Sequence, residues 1–154
     1  MRAMARTAVA FATGLGSGLF PVAPATFTSA LVTAAVWWIW PVSFAAETLL
    51  IMVLLPFAVW TSGVAEKRLG HDAHPIVIDE VVGQLIALWM LPREVGWMAA
   101  AFFLFRLFDI RKPLGIYGLQ RLPGGFGVVS DDVLAGLYTR LVLVAAGYLG
   151  PRIG

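Results

Sequence analysis

The sequence predicts an all-α fold embedded in a membrane: a single domain over residues 1–154, forming a helical bundle of about five spans with an N-terminal Gly-rich loop or re-entrant segment. Three observations carry that prediction. Hydrophobic residues make up 60% of the chain and charged residues 13%, where soluble domains average about 25% charged. Mean hydropathy is +0.85, and a unit of 16.6 kDa has too little interior to hide six Trp and ten Phe. Apolar residues also gather into separated runs, which lipid tolerates as helices but not as open strands. Together these argue against a cytosolic globular enzyme. Cysteine is absent, which removes disulfides, thiolate metal sites and a cysteine nucleophile. A net charge of +2 is too small to suggest a nucleic-acid partner.

The opening ten residues lack the basic, apolar and cleavage order of a signal peptide. Gly14 to Pro24 follows as the tight loop GLGSGLFPVAP. The first run, Phe27–Trp40, stops at Pro41; the second, Thr48–Val64, precedes the polar stretch Glu66 to Glu80. There His71 and His74 form H-D-A-H, a spacing that can bind metal but that reads as surface before Pro75. The third run, Val81–Leu91, gives about 16 Å of helix against a hydrocarbon core of about 30 Å. It crosses only by continuing through Asp79 and Glu80, and the fourth, Gly96–Leu107, only by taking in Arg106 and Asp109. Such charges lie at or below headgroup level, where an unpartnered one costs roughly 2.5–3.5 kcal/mol at mid-depth. The fifth run, Val133–Leu149, carries Arg140 in mid-span, to which no chemistry is assigned. Glu47, Glu66 and Glu94 read as solvated charges.

Five spans place the N-terminus and the two long polar loops on one side. That side holds Arg2, Arg6, Lys67, Arg68, Arg111, Lys112 and Arg121, the other Arg93 and Arg152. The positive-inside rule then makes the richer side cytoplasmic. Every polar motif falls on that face.

Five carboxylates sit in three motifs. Asp79-Glu80 in VIDEVVGQ enter the third helix, Asp109 in FRLFDIRKP leaves the fourth, and Asp131-Asp132 in GGFGVVSDDVLAG enter the fifth. Alone, each serves equally well as a helix cap. Together they repel at one membrane face, and a divalent cation would keep them ionised. An all-oxygen set suits Mg²⁺, Mn²⁺ or Ca²⁺ better than zinc. Neighbours on a helix point about 100° apart, so one member of each adjacent pair is expected to face the ion and the other to cap or take a second role. Phosphate-binding chemistry is the second ingredient. Ser17, Gly18 and Thr26 lie in or just beyond the Gly-rich segment, whose backbone N–H groups can converge on an anion. Arg106 and Lys112 add cations beside Asp109; in the plainer reading Arg106 pairs with Asp109 along the helix, and Lys112 snorkels to headgroups.

In order and content, GLGSGLFPVAP, VIDEVVGQ, FRLFDIRKP and GGFGVVSDDVLAG resemble the motifs of the phosphatidylglycerophosphatase A family of bacterial membrane phosphatases, over about Phe11 to Gly136. The chain departs from the family's P-G-T-x-G-S at Ala25 and Thr28, and has Gly115 where a second Pro is common, but no carboxylate is lost. The resemblance implies an Mg²⁺-dependent enzyme of the inner membrane, multi-pass, with its site facing the cytoplasm. Its substrate would be a membrane phospholipid, phosphatidylglycerol phosphate, from which the terminal phosphate is removed. Asp79, Glu80, Asp109, Asp131 and Asp132 are then the catalytic and metal-binding set, with Ser17, Gly18, Thr26, Arg106 and Lys112 toward the substrate. The Cys-x5-Arg, D-x-D-x-T and D-G-x2-A-R signatures of other phosphatases and transferases are absent.

Direct attack by water and an aspartyl-phosphate intermediate both stay open. So does a different class, a small carboxylate-lined cation channel or transporter, although symmetry between halves and mid-membrane acids are missing. A catalytically inactive relative is a third reading. Self-association stays open as well.

Overall fold

The computed structural model describes residues 2–39, 43–70, 73–113 and 115–149, and its regular elements are all helical. They are α1 (Arg2–Ala12), a 3-10 segment (Gly14–Leu19), α2 (Pro24–Trp38), α3 (Phe44–Leu69), α4 (Ile78–Leu88), α5 (Val95–Arg111), α6 (Ile116–Leu119) and α7 (Gly125–Leu149).

Helix α4 is the axis of the bundle. Apart from Asp79, Glu80 and Gln84 its residues are apolar or glycine, and all but Val81 are buried. A helix that is apolar nearly all round belongs in a core; α2, α3, α5 and α7 pack around it, α7 most extensively. Two glycines set that closest crossing. A Cβ on Gly83 would sit 2.7 Å from the Asp132 carbonyl oxygen, and one on Gly136 would sit 2.4 Å from the Gly83 carbonyl oxygen. Backbones this close bring the first turn of α4 against the second turn of α7.

The other helices are bounded by local chemistry. Pro24 opens α2 at a position where a missing N–H costs nothing. The Ser43 side chain caps α3 by accepting from the Ala46 N–H, and Gly70 ends it at φ +102°. Helix α1 has no counterpart among the five apolar runs. Its buried positions include Ala8 and Ala12, side chains too small to register as hydrophobic periodicity, and it lies against α3.

The five runs appear as α2, α3, α4, α5 and α7, with α4 ending at Leu88 and α7 starting at Gly125 rather than Val133. Among the described residues one helix, α3, is long and apolar enough to cross a membrane by itself. Helices α2, α4 and α5 have 15, 11 and 17 residues and α7 has 25, so length and apolar composition together single out one span rather than five. Large apolar side chains face outward, among them Trp38, Met52, Val53, Phe103 and Leu141.

At the end of the bundle beyond Leu88, Arg140 donates to the Met90 carbonyl at 3.3 Å. Glu47 accepts from the Met90 N–H at 3.1 Å and pairs with Arg93 at 3.4 Å. Glu47 is therefore not a free solvated charge. Arg140 finds its partner in the turn after α4.

Candidate active site

Three helices deliver the five acids to one place. Carboxylate oxygens of Asp79, Glu80 and Asp132 lie within 4.8 Å of one another, as do those of Asp109, Asp131 and Asp132. Asp132 belongs to both groups, and none of the five residues is more than 8% exposed. Asp79 and Glu80 occupy the first turn of α4, where the helix dipole favours anions. The Val77 N–H, donating to the Ala12 carbonyl at 2.9 Å, ties that entry to α1. Asp109 lies in the last turn of α5.

One expectation is corrected. Asp131 and Asp132 stand inside α7, not at its entry, so Ser130-Asp131 is no cap. Both members of both adjacent pairs are buried, and Asp131 takes a second role by accepting from Lys112. The cluster fills the place where α4, α5 and α7 converge, and directions 100° apart can both lead into it.

Two cations are built in among the acids. Arg106 Nη1 lies 2.8 Å from Asp109 Oδ2 and 4.0 Å from Glu80 Oε1. Lys112 Nζ lies 3.9 Å from Asp109 Oδ1 and hydrogen-bonds to Asp131 Oδ2. Lys112 thus turns inward instead of snorkelling. Its backbone is left-handed at φ +45°, a conformation that costs an L-residue roughly 1–2 kcal/mol. Burial draws the Lys112 pKa down, but the hydrogen bond to Asp131 and the charges of Asp131, Asp109 and Asp132 more than offset it. The ammonium titrates above the usual lysine range and stays charged at neutral pH.

Five carboxylates against two cations leave three negative charges if all are ionised. At an effective dielectric of about 20, two like charges 4.8 Å apart repel by about 3.5 kcal/mol. Among the described residues, Glu80 Oε2 and Asp132 Oδ2 are buried without a hydrogen-bond partner. Orphaned carboxylate oxygens in an oxygen-only set fit a hard divalent cation such as Mg²⁺.

The residues expected to hold substrate divide. Arg106 and Lys112 join the acids, whereas Ser17, Gly18 and Thr26 do not. The Gly-rich segment is a 3-10 turn pressed against the chain leading into α4: a Cβ on Gly18 would sit 2.1 Å from the Pro75 carbonyl oxygen. Thr28, at a family glycine position, is buried and donates to Ser17 Oγ at 2.9 Å. Thr26 stands half-buried in the first turn of α2. His74 is exposed, and His71 lies outside the described residues. Sequence reasoning missed Gln84, which is fully buried with neither amide atom hydrogen-bonded among the described residues. Its place one helical turn after Glu80 was the available signal.

Buried acids offering only oxygen donors, with two embedded cations among them, make a site suited to phosphoryl transfer. Comparison with known proteins gives the family. The family model described as Phosphatidylglycerophosphatase A matches residues 10–147, and the chain belongs to that family of phosphatases. It is 34% identical over 144 residues to the phosphatidylglycerophosphatase A of Escherichia coli, covering 91% of this chain and 83% of that protein. The Haemophilus influenzae phosphatidylglycerophosphatase A is 39% identical over 142 residues, 89% of this chain and 86% of its own. A Bacteroides thetaiotaomicron protein, provisionally named a phosphatidylinositol-3-phosphatase, is 39% identical over 150 residues, 92% of this chain and 94% of its own. No solved structure matches.

Proposed function

We propose that this chain is an Mg²⁺-dependent phosphatidylglycerophosphatase of the inner membrane. It would convert phosphatidylglycerol phosphate to phosphatidylglycerol and inorganic phosphate at the cytoplasmic face. The observation that carries this reading is the convergence of Asp79, Glu80, Asp109, Asp131 and Asp132 with Arg106 and Lys112, in a chain of this family.

Asp79, Glu80 and Asp132, with Asp109 and Asp131 beside them, would hold Mg²⁺, which when bound supplies positive charge for phosphate oxygens that the acids alone would repel. Arg106 and Lys112, held in place by Asp109 and Asp131, balance the charge of the phosphoryl group without reorganising during the reaction. One carboxylate takes the proton of the attacking water as its oxygen bonds to phosphorus. The bond from phosphorus to the lipid oxygen breaks, and that oxygen leaves as an alcohol, taking the proton that the carboxylate accepted from water. Ser17, whose oxygen accepts from Thr28, keeps its own proton to donate toward the headgroup. Thr26 and the Gly18 backbone, which stand apart from the acids, would contact the headgroup rather than the reacting phosphate. Helices α2, α3, α4, α5 and α7 would form the five spans, with the Lys- and Arg-rich side facing the cytoplasm.

A second reading is favoured by one observation, the name of the Bacteroides relative: the substrate is a phosphoinositide phosphomonoester. A conducting carboxylate ring is disfavoured because Arg106 and Lys112 stand among the acids, where they oppose cation passage. Purified protein assayed for phosphate release separates these. Release from phosphatidylglycerol phosphate with Mg²⁺, abolished by EDTA, is expected. Release from phosphatidylinositol 3-phosphate alone would favour the second reading, and release from neither would sink both.

A further inference from the structure

A groove of about 370 Å³ runs between α2 and α5, within the size range of small-ligand sites. Its lining includes Ala30, Ala34 and Trp38 of α2 and Ala99, Phe102 and Phe103 of α5. Small side chains leave the space, and aromatic ones border it. The two helices run antiparallel. Helix α2 starts from the Gly-rich turn packed against Pro75 and Val77, just before Asp79, whereas α5 ends beside Asp109.

The face that lines the groove continues into the site. On α5 the lining positions Val95, Ala99 and Phe102 or Phe103 recur every three or four residues, and the next members of that stripe are Arg106 and Asp109. On α2 the stripe Trp38, Ala34 and Ala30 leads back to Thr26. The surface is therefore apolar at one end and charged at the other. From Val95 to Phe103 it extends about 12 Å, comparable with the roughly 15 Å hydrocarbon depth of one leaflet.

We propose that this groove seats one acyl chain of the phospholipid substrate, whose phosphate reaches the acid cluster past Arg106. The proposal rests on the lipid-phosphatase reading above. A helix from a second copy would match an apolar face but not one that becomes charged along its length. An amphiphile with a phosphate head matches both ends.

Ala34 is exposed in the groove, whose lining includes none of the acids, so Ala34→Phe fills the space without entering the catalytic machinery. Two substrates are compared, long-chain phosphatidylglycerol phosphate in mixed micelles and its deacylated, water-soluble headgroup. The expected result is a KM about tenfold higher for the long-chain substrate, with kcat/KM for the deacylated one within about twofold of wild type. Equal loss on both substrates, or no change on the first, would overturn the proposal.

Labelling with a phosphatidic acid that carries a photoactivatable acyl chain needs no turnover. Adducts are expected on α2 and α5 peptides, and should move away in Ala34→Phe. Even labelling of the exposed α3 face at Met52 and Val53, or a cross-link joining two copies through α2, would overturn it. If wild type releases no phosphate from either substrate, the proposed function fails, while labelling still decides the groove.

Discussion

Asp132 is the most crowded acid in the cluster, shared by both groups of three and left with a buried oxygen that no donor reaches. Replacing it isosterically separates function from stability. Asp132→Asn should lower kcat by about a hundredfold or more, measured as phosphate release. The same change should raise the metal-free thermal midpoint, because a repulsive charge is gone. Asp109→Asn should lose comparable activity without that gain, since it strips Arg106 of a partner at 2.8 Å. Gln84→Met removes a buried amide that makes no hydrogen bond and should stabilise the protein by about 1 kcal/mol, read from thermal unfolding in detergent. At this scale the acids and both cations were legible, because carboxylates beside apolar runs need partners. The plainer pairing of Arg106 with Asp109 holds at 2.8 Å, while the snorkelling of Lys112 gives way to tertiary geometry. Lys112 turns inward through a left-handed residue, and Thr28 engages the Ser17 hydroxyl; neither follows from residue type.

At the scale of elements, the crossing of α4 and α7 depends on glycine. Gly83→Ala puts a methyl group 2.6 Å from the Phe105 ring and 2.7 Å from the Asp132 carbonyl oxygen. It should destabilise by about 1–3 kcal/mol and reduce activity through the displaced carboxylates. Gly136→Ala, at 2.4 Å from the Gly83 carbonyl oxygen, should do the same, and normal midpoints in both variants would refute this account. Helices α2, α3, α4, α5 and α7 were readable from apolar runs, and their ends were not. Helix α7 begins in GGFGVVS because Gly125 lies close to α3 at Val59 and Gly63, a tertiary reason for glycine that looks locally like a loop. Helix α3 continues through Pro56, although an interior proline ordinarily breaks or kinks a helix. Helix α1 escaped notice because alanines mark its inner face.

For the whole molecule, the absence of cysteine makes single-cysteine labelling clean. Arg121→Cys should react with an impermeant maleimide only after the cytoplasmic side is opened, and Glu94→Cys in intact spheroplasts; the reverse pattern would refute the assigned orientation. Saturating Mg²⁺ should stabilise the folded protein by about 2.7 kcal/mol at a hundredfold excess over Kd, and EDTA should remove that gain. An unchanged midpoint across the titration would count against a bound divalent ion. Helix α4 has a further consequence at this scale. Because it is enclosed on nearly every side, it has almost no position at which random change is harmless, and mutational scanning should show it as the least tolerant stretch of the chain. The outward positions of α3, such as Leu49, Met52 and Val53, should drift freely among greasy residues, so sequence variation would concentrate at the rim while the hub stays nearly fixed.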